Sequence, residues 1–222
     1  MIIYIYIYII MNIDNKYYIL GGNKNNYEEL NMKFYDTSIL YPELNIFQEN
    51  YDVICNELNN YINNYKKWDS WSDLVSYHKN SDWDVIPIYG FHKFTSYSDY
   101  FPEIIKLFYQ VGNIELLCFS KLGKNTILNV HQGWADTSNI SLRTHLGINI
   151  PDNCGIWVEG EKKILKNNQF ITFDDSKFHS AYNKSNEDRI VLLFDIKRPS
   201  FIKKGTSEVK EVDKLIEYIS NI

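Results

Sequence analysis

The sequence predicts a mainly β fold with flanking helices. Its second half consists of short β-branched and aromatic runs separated by Gly, Asn, Asp or Lys turns, which is typical of paired strands. The runs cover residues 115–120, 126–130, 141–150, 156–158, 169–173 and 189–196. Their spacing fits a sandwich, a barrel or a jelly roll. With 45% hydrophobic and 16% aromatic residues, a chain of 222 residues can bury a substantial core as one domain.

Helices are predicted on both sides of these strands. Apolar residues recur every three or four positions over residues 47–61, which places them on one face of a helix. Pro102 begins a shorter helix that Gly112 ends, and apolar residues at helical spacing predict a terminal helix over residues 212–219. The apolar side of the Pro102 helix is predicted to hold Ile105, Phe108 and Val111.

The remaining segments carry weaker signals. Residues 12–45 are rich in Asn, Asp, Gly and Tyr, which predicts loop with short extended pieces. Residues 83–89 alternate as a strand does, and Pro87 favours an edge position because proline donates no ladder hydrogen bond. His78 and His92 lie in polar stretches, so we expect both at the surface.

Charge and cysteine content limit the class of protein. A formal net charge of -5, without a basic stripe, argues against nucleic-acid binding. Cys55, Cys118 and Cys154 are widely spaced and form no CxxC pair. We therefore expect reduced thiols in the cytoplasm or another reducing intracellular compartment. The sequence predicts no particular oligomeric state.

The first eleven residues are mostly Ile and Tyr. This run lacks a basic start and a small-residue cleavage site, so it does not predict a signal peptide. It is also about half the length of a bilayer-spanning segment, so no stable membrane span is expected. We expect a strand, or an extension upstream of a true start at Met11, with weak membrane association as the alternative.

Two histidines stand at the ends of predicted strands, His131 and His179. Neutral imidazole is the commonest protein ligand for iron, zinc and copper, and a double sheet can bring two strand ends face to face. In many non-haem iron sites a carboxylate follows the first histidine by two residues, but that position is Gly133 here. On spacing alone, a structural role for each histidine is the alternative.

Two arginines, Arg143 and Arg189, lie inside otherwise apolar predicted strands. A buried cation is costly without a partner, so two arginines facing one cavity predict an anionic ligand, most naturally a dicarboxylate. The alternative is a pair of structural salt bridges. Arg143 would then pair with Asp174 or Asp175. Arg189 would pair with Asp195.

Four runs in this half resemble the aspartyl/asparaginyl β-hydroxylase family. They are His131-Gln132-Gly133, Leu142-Arg143-Thr144-His145-Leu146-Gly147, Phe173-Asp174-Asp175-Ser176 with His179, and Asp188-Arg189 through to Pro199. The resemblance implies a double-stranded β-helix, a jelly roll of the cupin type, with N-terminal helices over residues 46–200. Residues 1–45 would be a partly irregular extension, and residues 201–222 would hold the C-terminal helix.

The resemblance also implies an Fe(II)- and 2-oxoglutarate-dependent dioxygenase that uses O2 to hydroxylate a C–H bond. Its iron ligands would be His131 and His179. The family also has glycine at the place of Gly133, so the absent carboxylate agrees with the resemblance. Asp174 and Asp175, close to the second histidine, would support the site.

The same resemblance assigns the cosubstrate contacts. Arg189 would bind the distal carboxylate of 2-oxoglutarate, and Ser120 would assist it. Arg143 and His145 would contact the other end of the cosubstrate. The substrate would be a protein or peptide side chain, with a free amino acid or a lipid acyl chain as the alternatives that the family offers.

The chain departs from the family pattern in loops. Residues 134–141 are longer than the pattern, Lys124-Asn125-Thr126 replaces a Pro-Gly-Thr turn, and Lys177-Phe178 replaces an aromatic-acidic pair. These departures bear on the substrate more than on the cofactor. Asp136, in the longer loop, is a further candidate metal ligand.

Two other functions fit parts of the pattern. A catalytically silent jelly roll for binding or assembly would hold no metal and would pair its arginines with aspartates. A zinc hydrolase would use the same histidines, but the sequence supplies neither a third ligand nor a placed general base.

Overall fold

The computed structural model describes residues 15–71, 82–210 and Tyr218. The Ile/Tyr run at the start and His78 lie outside the described residues, as does the predicted terminal helix apart from Tyr218. The strands are β1 (Phe34–Tyr35), β2 (Asp69–Ser70), β3 (Trp83–Gly90), β4 (Lys93–Phe94), β5 (Ile114–Leu122), β6 (Thr126–Ile127), β7 (Ser141–Asn149), β8 (Cys154–Val158), β9 (Glu161–Ile164), β10 (Phe170–Phe173), β11 (His179–Asn183) and β12 (Arg189–Lys197).

These strands form two antiparallel sheets. The larger sheet has the order β1-β10-β7-β12-β5-β3-β2, with β4 paired to β3, and the smaller sheet has the order β6-β11-β8-β9. Apolar side chains of both sheets share one cluster, to which Leu122 and Val191 come from the larger sheet and Ile156 and Ala181 from the smaller. The sheets therefore pack face to face as a double-stranded β-helix, which confirms the predicted jelly roll.

Side chains of the central strand β12 alternate between the two faces of the larger sheet. On β12, Leu192 and Phe194 belong to the outer apolar cluster, whereas Val191 and Leu193 belong to the cluster between the sheets. Successive side chains of a strand point to opposite faces, so Arg189 and every second residue after it face inward. This alternation decides which polar residues can meet inside the jelly roll.

Helices cover the outer face of the larger sheet. They are α1 (Thr37–Leu40), α2 (Asn45–Glu49), α3 (Tyr51–Tyr65), α4 (Pro102–Val111) and α5 (Ala135–Ser138), with 3-10 turns at Pro42–Leu44 and Ser96–Tyr100. The single helix predicted over residues 47–61 is divided at Asn50 between α2 and α3. Ile54, Leu58 and Tyr61 of α3 are buried, as their helical spacing predicts.

The buried side of α4 differs from the prediction. Ile104 and Leu107 are its buried residues, whereas the predicted stripe of Ile105, Phe108 and Val111 is only partly buried. Both stripes have helical spacing, and the helix is apolar on both. Periodicity alone therefore cannot predict which of two neighbouring apolar stripes is buried. The stripe that packs against the sheet is the buried one.

Several smaller differences also have local causes. β9 and β11 are not among the predicted strands, and residues 12–45 contain the helix α1 as well as extended pieces. β3 lies between β5 and β2, so it is not an edge strand over its whole length. Pro87 is tolerated because β2 pairs only with Asp84 and Val85, and β4 only with Tyr89 and Gly90.

The predicted division of the chain at residues 45 and 200 stays a prediction. Two pairings cross it: β1 pairs with β10, and Leu30 pairs with Ile202. Within the described residues, no helix has the length and apolar character that crossing a membrane requires.

We expect the free energy of unfolding to fall by about 3–5 kcal/mol in the Phe47→Ala variant. Phe47 of α2 and Phe194 of β12 are fully buried and meet edge to face with ring centroids 4.9 Å apart, so truncation leaves a cavity between helix and sheet. Urea denaturation measures the effect. Tyr109→Ala, at a position 72% exposed, is the control and should change stability by less than about 0.5 kcal/mol. Equal losses in both variants would contradict this packing.

Candidate active site

The two predicted ligand histidines lie side by side at one end of the smaller sheet. His131 and His179 form an antiparallel bridge, in which each backbone N–H donates to the other's carbonyl at 2.9 Å. Their ring centroids are 4.2 Å apart. The structure thus brings together two side chains 48 residues apart in sequence, and their role as ligands stays a prediction.

Local hydrogen bonds set the tautomer of both rings. Nδ1 of His131 lies 2.7 Å from the carbonyl of Asn129, and Nδ1 of His179 lies 2.9 Å from the carbonyl of Lys177. Because a carbonyl can only accept, each Nδ1 carries a proton, and in a neutral ring the lone pair is then on Nε2. Burial and the adjacent His179 lower the pKa of His131 to about 3, so its imidazole is neutral near pH 7.

A buried carboxylate faces the second histidine. Oδ1 of Asp175 lies 3.1 Å from Nε2 of His179, and both side chains are almost fully buried. A lone pair on Nε2 would repel this oxygen, so the contact requires a shared positive charge, either a proton or a metal cation. Oδ2 of Asp175 is buried and has no hydrogen-bond partner among the described residues.

The same carboxylate explains Gly133. A Cβ placed on Gly133 would overlap Oδ2 of Asp175, and the N–H of Gly133 donates to the backbone carbonyl of Asp175 at 2.8 Å. Any larger residue would displace the carboxylate. The space that a side chain at position 133 would need is therefore occupied by a carboxylate from another part of the chain.

Arg143 joins this carboxylate to a second one. Its Nη1 donates to Oδ1 of Asp175 at 2.8 Å, while Nε and Nη2 donate to the two oxygens of Asp195, each at 2.8 Å. Arg143 and Asp195 are directly opposite each other on β7 and β12. The alternative prediction that Arg143 forms a structural salt bridge with Asp174 or Asp175 is therefore correct for Asp175. Asp195 was not predicted as a partner of Arg143.

The electrostatics favour the charged forms of Arg143 and Asp175, whereas burial raises the pKa of Asp195 and Arg143 offsets that rise only in part. Burial opposes the charge of Arg143, but Asp175 and Asp195 outweigh it and raise the pKa of the guanidinium. Burial likewise opposes ionisation of Asp175, but Arg143 and His179 lower the pKa of its carboxyl. One positive and two negative groups leave a net charge of -1 beside the histidines, which suits a cation.

Arg189 is the second buried arginine, and it differs from Arg143 because no described carboxylate binds it. It is 3% exposed, and its Nη2 donates to Nδ1 of His145 at 3.2 Å. Burial lowers its pKa to about 10, so it stays cationic near pH 7. The predicted structural pair with Asp195 is wrong, because Arg143 occupies both oxygens of that carboxylate.

Two buried donors in this corner are without partners among the described residues. They are Nε of Arg189 and Nε2 of His145. Burial and the charges of Arg189 and Arg143 hold the pKa of His145 well below its usual range. His145 is therefore neutral, accepts at Nδ1 and carries its proton on Nε2. Unsatisfied buried donors beside an unpaired cation are what an anion would complete.

Ser120 and Trp83 form the opposite wall. The indole N–H of Trp83 donates to Oγ of Ser120 at 3.0 Å, and both residues are buried. The cavity that they enclose with both histidines, Arg143, His145 and Arg189 has a volume of about 20 Å³. This is room for about one water molecule, so a five-carbon dicarboxylate can enter only if wall side chains move.

The other candidates lie elsewhere. Both oxygens of Asp174 bind Arg198, at 2.8 and 2.9 Å, so this carboxylate is committed to a separate ion pair. Asp136 is exposed in the first turn of α5, and its role as a ligand stays a prediction. His92 is exposed, as expected. In the part of the chain that the structure describes, no group of three or more His, Cys, Asp or Glu side chains is placed to hold a metal.

Sequence reasoning missed Asp195 and Cys118, although a signal for both was present. Each is an even number of residues along the same strand from a predicted site residue: Asp195 from Arg189 on β12, and Cys118 from Ser120 on β5. Period-two alternation alone places such pairs on one face of a sheet.

The Asp195→Asn variant is expected to lower the free energy of unfolding by about 3–5 kcal/mol, because removing one member of a buried ion pair leaves Arg143 undercompensated. Urea denaturation at neutral pH measures the change. Glu103→Gln breaks an exposed pair with Lys106 on α4 and should cost less than about 0.5 kcal/mol. A loss in Asp195→Asn no larger than in this control would show that the buried arrangement does not stabilise the fold.

Comparison with known proteins gives a family and several partial relatives. The model of the family described as "Aspartyl/Asparaginyl beta-hydroxylase" matches residues 48–199. "Aspartate beta-hydroxylase domain-containing protein 2" of Xenopus tropicalis is 33% identical over 86 residues, 37% of this chain and 22% of that protein. The Homo sapiens protein of the same name is 35% identical over 86 residues, with 37% and 22% covered. The match spans about a fifth of the length of these relatives.

Solved structures are more distant. A Pseudomonas putida prolyl-4-hydroxylase has a TM-score of 0.46 at 10% identity, covering 68% of this chain and 87% of its own. A viral collagen prolyl hydroxylase from Paramecium Bursaria Chlorella virus-1 has a TM-score of 0.40 at 12% identity, covering 67% and 91%. Likenesses at this level add nothing to the geometry above. The family match is of another kind, because it spans more than half of the 222 residues and includes the histidine bridge, Arg143 and Arg189. The chain belongs to the aspartyl/asparaginyl beta-hydroxylase family.

Proposed function

We propose that the protein is an Fe(II)- and 2-oxoglutarate-dependent dioxygenase that hydroxylates a C–H bond. One observation carries the proposal: Arg189 is a buried cation without a described carboxylate partner, in the same cavity as His131 and His179. A metal site next to an unfilled anion site is the combination that a chelating 2-oxo dicarboxylate requires. Family membership supports the same chemistry.

The residues present fit Fe(II). His131 and His179 would hold it through Nε2, because both Nδ1 atoms donate to backbone carbonyls that fix the rings. The repulsion between Asp175 and the lone pair of His179 is relieved when a cation lies beside them. Asp175 has one oxygen free for that purpose among the described residues, and Arg143 holds the other.

The residues present also fit 2-oxoglutarate. Arg189 would bind its distal carboxylate, and the orphaned donors on Arg189 and His145 gain an acceptor when an anion enters. The hydroxyl of Ser120 lines the same cavity and would add a donor. Arg143 is less available for this role than the resemblance implies, because three of its N–H groups already bind carboxylates.

When bound, Fe(II), 2-oxoglutarate and O2 together supply the oxidation that inserts one oxygen atom into a C–H bond and leaves succinate and CO2. The chain's own contribution is placement. Both histidines are fixed by backbone hydrogen bonds, and Leu122, Ile156 and Phe173 exclude water from the cavity. The ion pair between Arg143 and Asp195 keeps the nearby carboxylate charged and in position.

The first substrates to test are Asp and Asn side chains in proteins or peptides, with attack at the β-carbon, because this is the chemistry of the family name. Free amino acids and lipid acyl chains are the second choice. A catalytically silent binding module is the competing function. It requires both arginines to be paired with aspartates, and only Arg143 is.

Replacing His179 with Ala is expected to abolish the visible absorption that an Fe(II) complex of a 2-oxo acid gives under anaerobic titration, because one of two ligands is lost. His92→Ala removes an exposed histidine and should leave the absorption unchanged. If folded wild-type protein gives no absorption and no 2-oxoglutarate affinity, the silent module is the better description.

Replacing Arg189 with Ala should raise the apparent KM for 2-oxoglutarate by at least about tenfold, since a buried, hydrogen-bonded charge contact is lost. The rate of succinate formation against cosubstrate concentration measures it. Lys197→Ala, at the exposed end of the same strand, is the matched control and should leave KM unchanged. An unchanged KM in Arg189→Ala would remove this arginine from the cosubstrate site.

A further inference from the structure

A second cavity adjoins the first on the other side of Trp83. It has a volume of about 60 Å³ and shares Trp83, Ser120, His131, Arg143 and Leu193 with the cosubstrate cavity. We call it the vestibule, and define its apolar wall by Trp71, Trp83, Val85, Leu116, Trp134 and Leu193. Because it borders His131, a substrate group held there would lie next to the proposed metal.

The vestibule offers no available charge in its described wall. Its one charged side chain is Arg143, which donates to both oxygens of Asp195 and to one of Asp175. A substrate carboxylate would have to compete with two carboxylates that are already buried.

Two N–H groups of this wall already donate within the protein. The indole N–H of Trp83 donates to Ser120, and the N–H of Gly133 donates to the carbonyl of Asp175. Cys118 is a neutral thiol, because burial raises its pKa to about 12. Six of the residues in this wall are apolar, so an entering group meets mainly carbon, and a charged group would lose more hydration than the wall restores.

From this wall we propose that the vestibule selects an uncharged aliphatic group of about four to six heavy atoms, such as the side chain of a leucine-like residue, over the carboxylate of aspartate. The size follows from the volume, since one water molecule needs about 10–15 Å³ of such space. The inference rests on the proposed function for its meaning, as the substrate class of that same site.

Cys118 allows a test that needs neither metal nor turnover. It lies in the vestibule, and Cys55 on α3 provides a reference thiol in the same molecule. The metal-free protein is treated with butyl methanethiosulfonate, which is neutral, or 2-carboxyethyl methanethiosulfonate, which is anionic. Mass spectrometry gives the labelling rate of each cysteine. The thiolate fraction of each cysteine is the same for both reagents. A difference between the reagents in the ratio of the Cys118 rate to the Cys55 rate therefore reports how readily the neutral and the anionic reagent enter the vestibule.

We expect the ratio of the Cys118 labelling rate to the Cys55 labelling rate to be at least about tenfold higher with the butyl reagent than with the carboxyethyl reagent. This difference is equivalent to about 1.4 kcal/mol of discrimination. An equal or higher ratio with the carboxylate reagent overturns the proposal, as does a Cys118 that neither reagent labels. If the wild-type protein forms no iron complex in the absorption test but still shows this ratio, the result contradicts the proposed function and leaves the selectivity of the vestibule standing.

Leu116→Lys is the second variant. Leu116 is half-buried and lies two residues from Cys118 on the same face of β5, so a lysine there adds a cation to the wall and can extend to solvent. The preference for the butyl reagent should fall at least about threefold, because the cation would compensate a carboxylate. An unchanged preference would place its origin outside the vestibule and overturn the proposal.

Discussion

The guanidinium of Arg143 lies between two buried carboxylates, and the other polar groups of the cavity are placed around it. Removing any one of the three charges would leave another uncompensated in a medium that solvates ions poorly. Because the hydrogen bonds have fixed directions, the arrangement admits one position for Asp175 and hence one environment for His179. The site is thus set by charge compensation before any ligand enters.

The two faces of a single strand differ in what they contribute to this arrangement. On β12 the outward residues, such as Leu192 and Phe194, pack under the helices, while the inward residues Arg189 and Asp195 face the cavity. The outer cluster supplies most of the burial that stabilises the domain. The inner face can therefore carry an unpaired cation and orphaned donors, which cost stability where they stand.

Features that depend on local periodicity could be predicted, and those that depend on partners could not. The strands carrying Ser120, Arg143 and Arg189 are visible in the sequence because each is a short run rich in apolar residues between turn residues. The strand β11 was not predicted, because its residues, from His179 to Asn183, are mostly polar and it forms by pairing with β8 and β6. Likewise, nothing local tells Asp174 from Asp175, yet Asp174 binds Arg198 and Asp175 binds Arg143.

The contact between Gly133 and Asp175 also limits how the protein can change over time. Acquiring an acidic residue at position 133 by one substitution would drive a side chain into the existing carboxylate. Trimming position 175 first would remove the charge that compensates Arg143. Each single step passes through an impaired intermediate, so the two positions are epistatic. A lineage with this geometry keeps glycine at position 133 unless both sites change together.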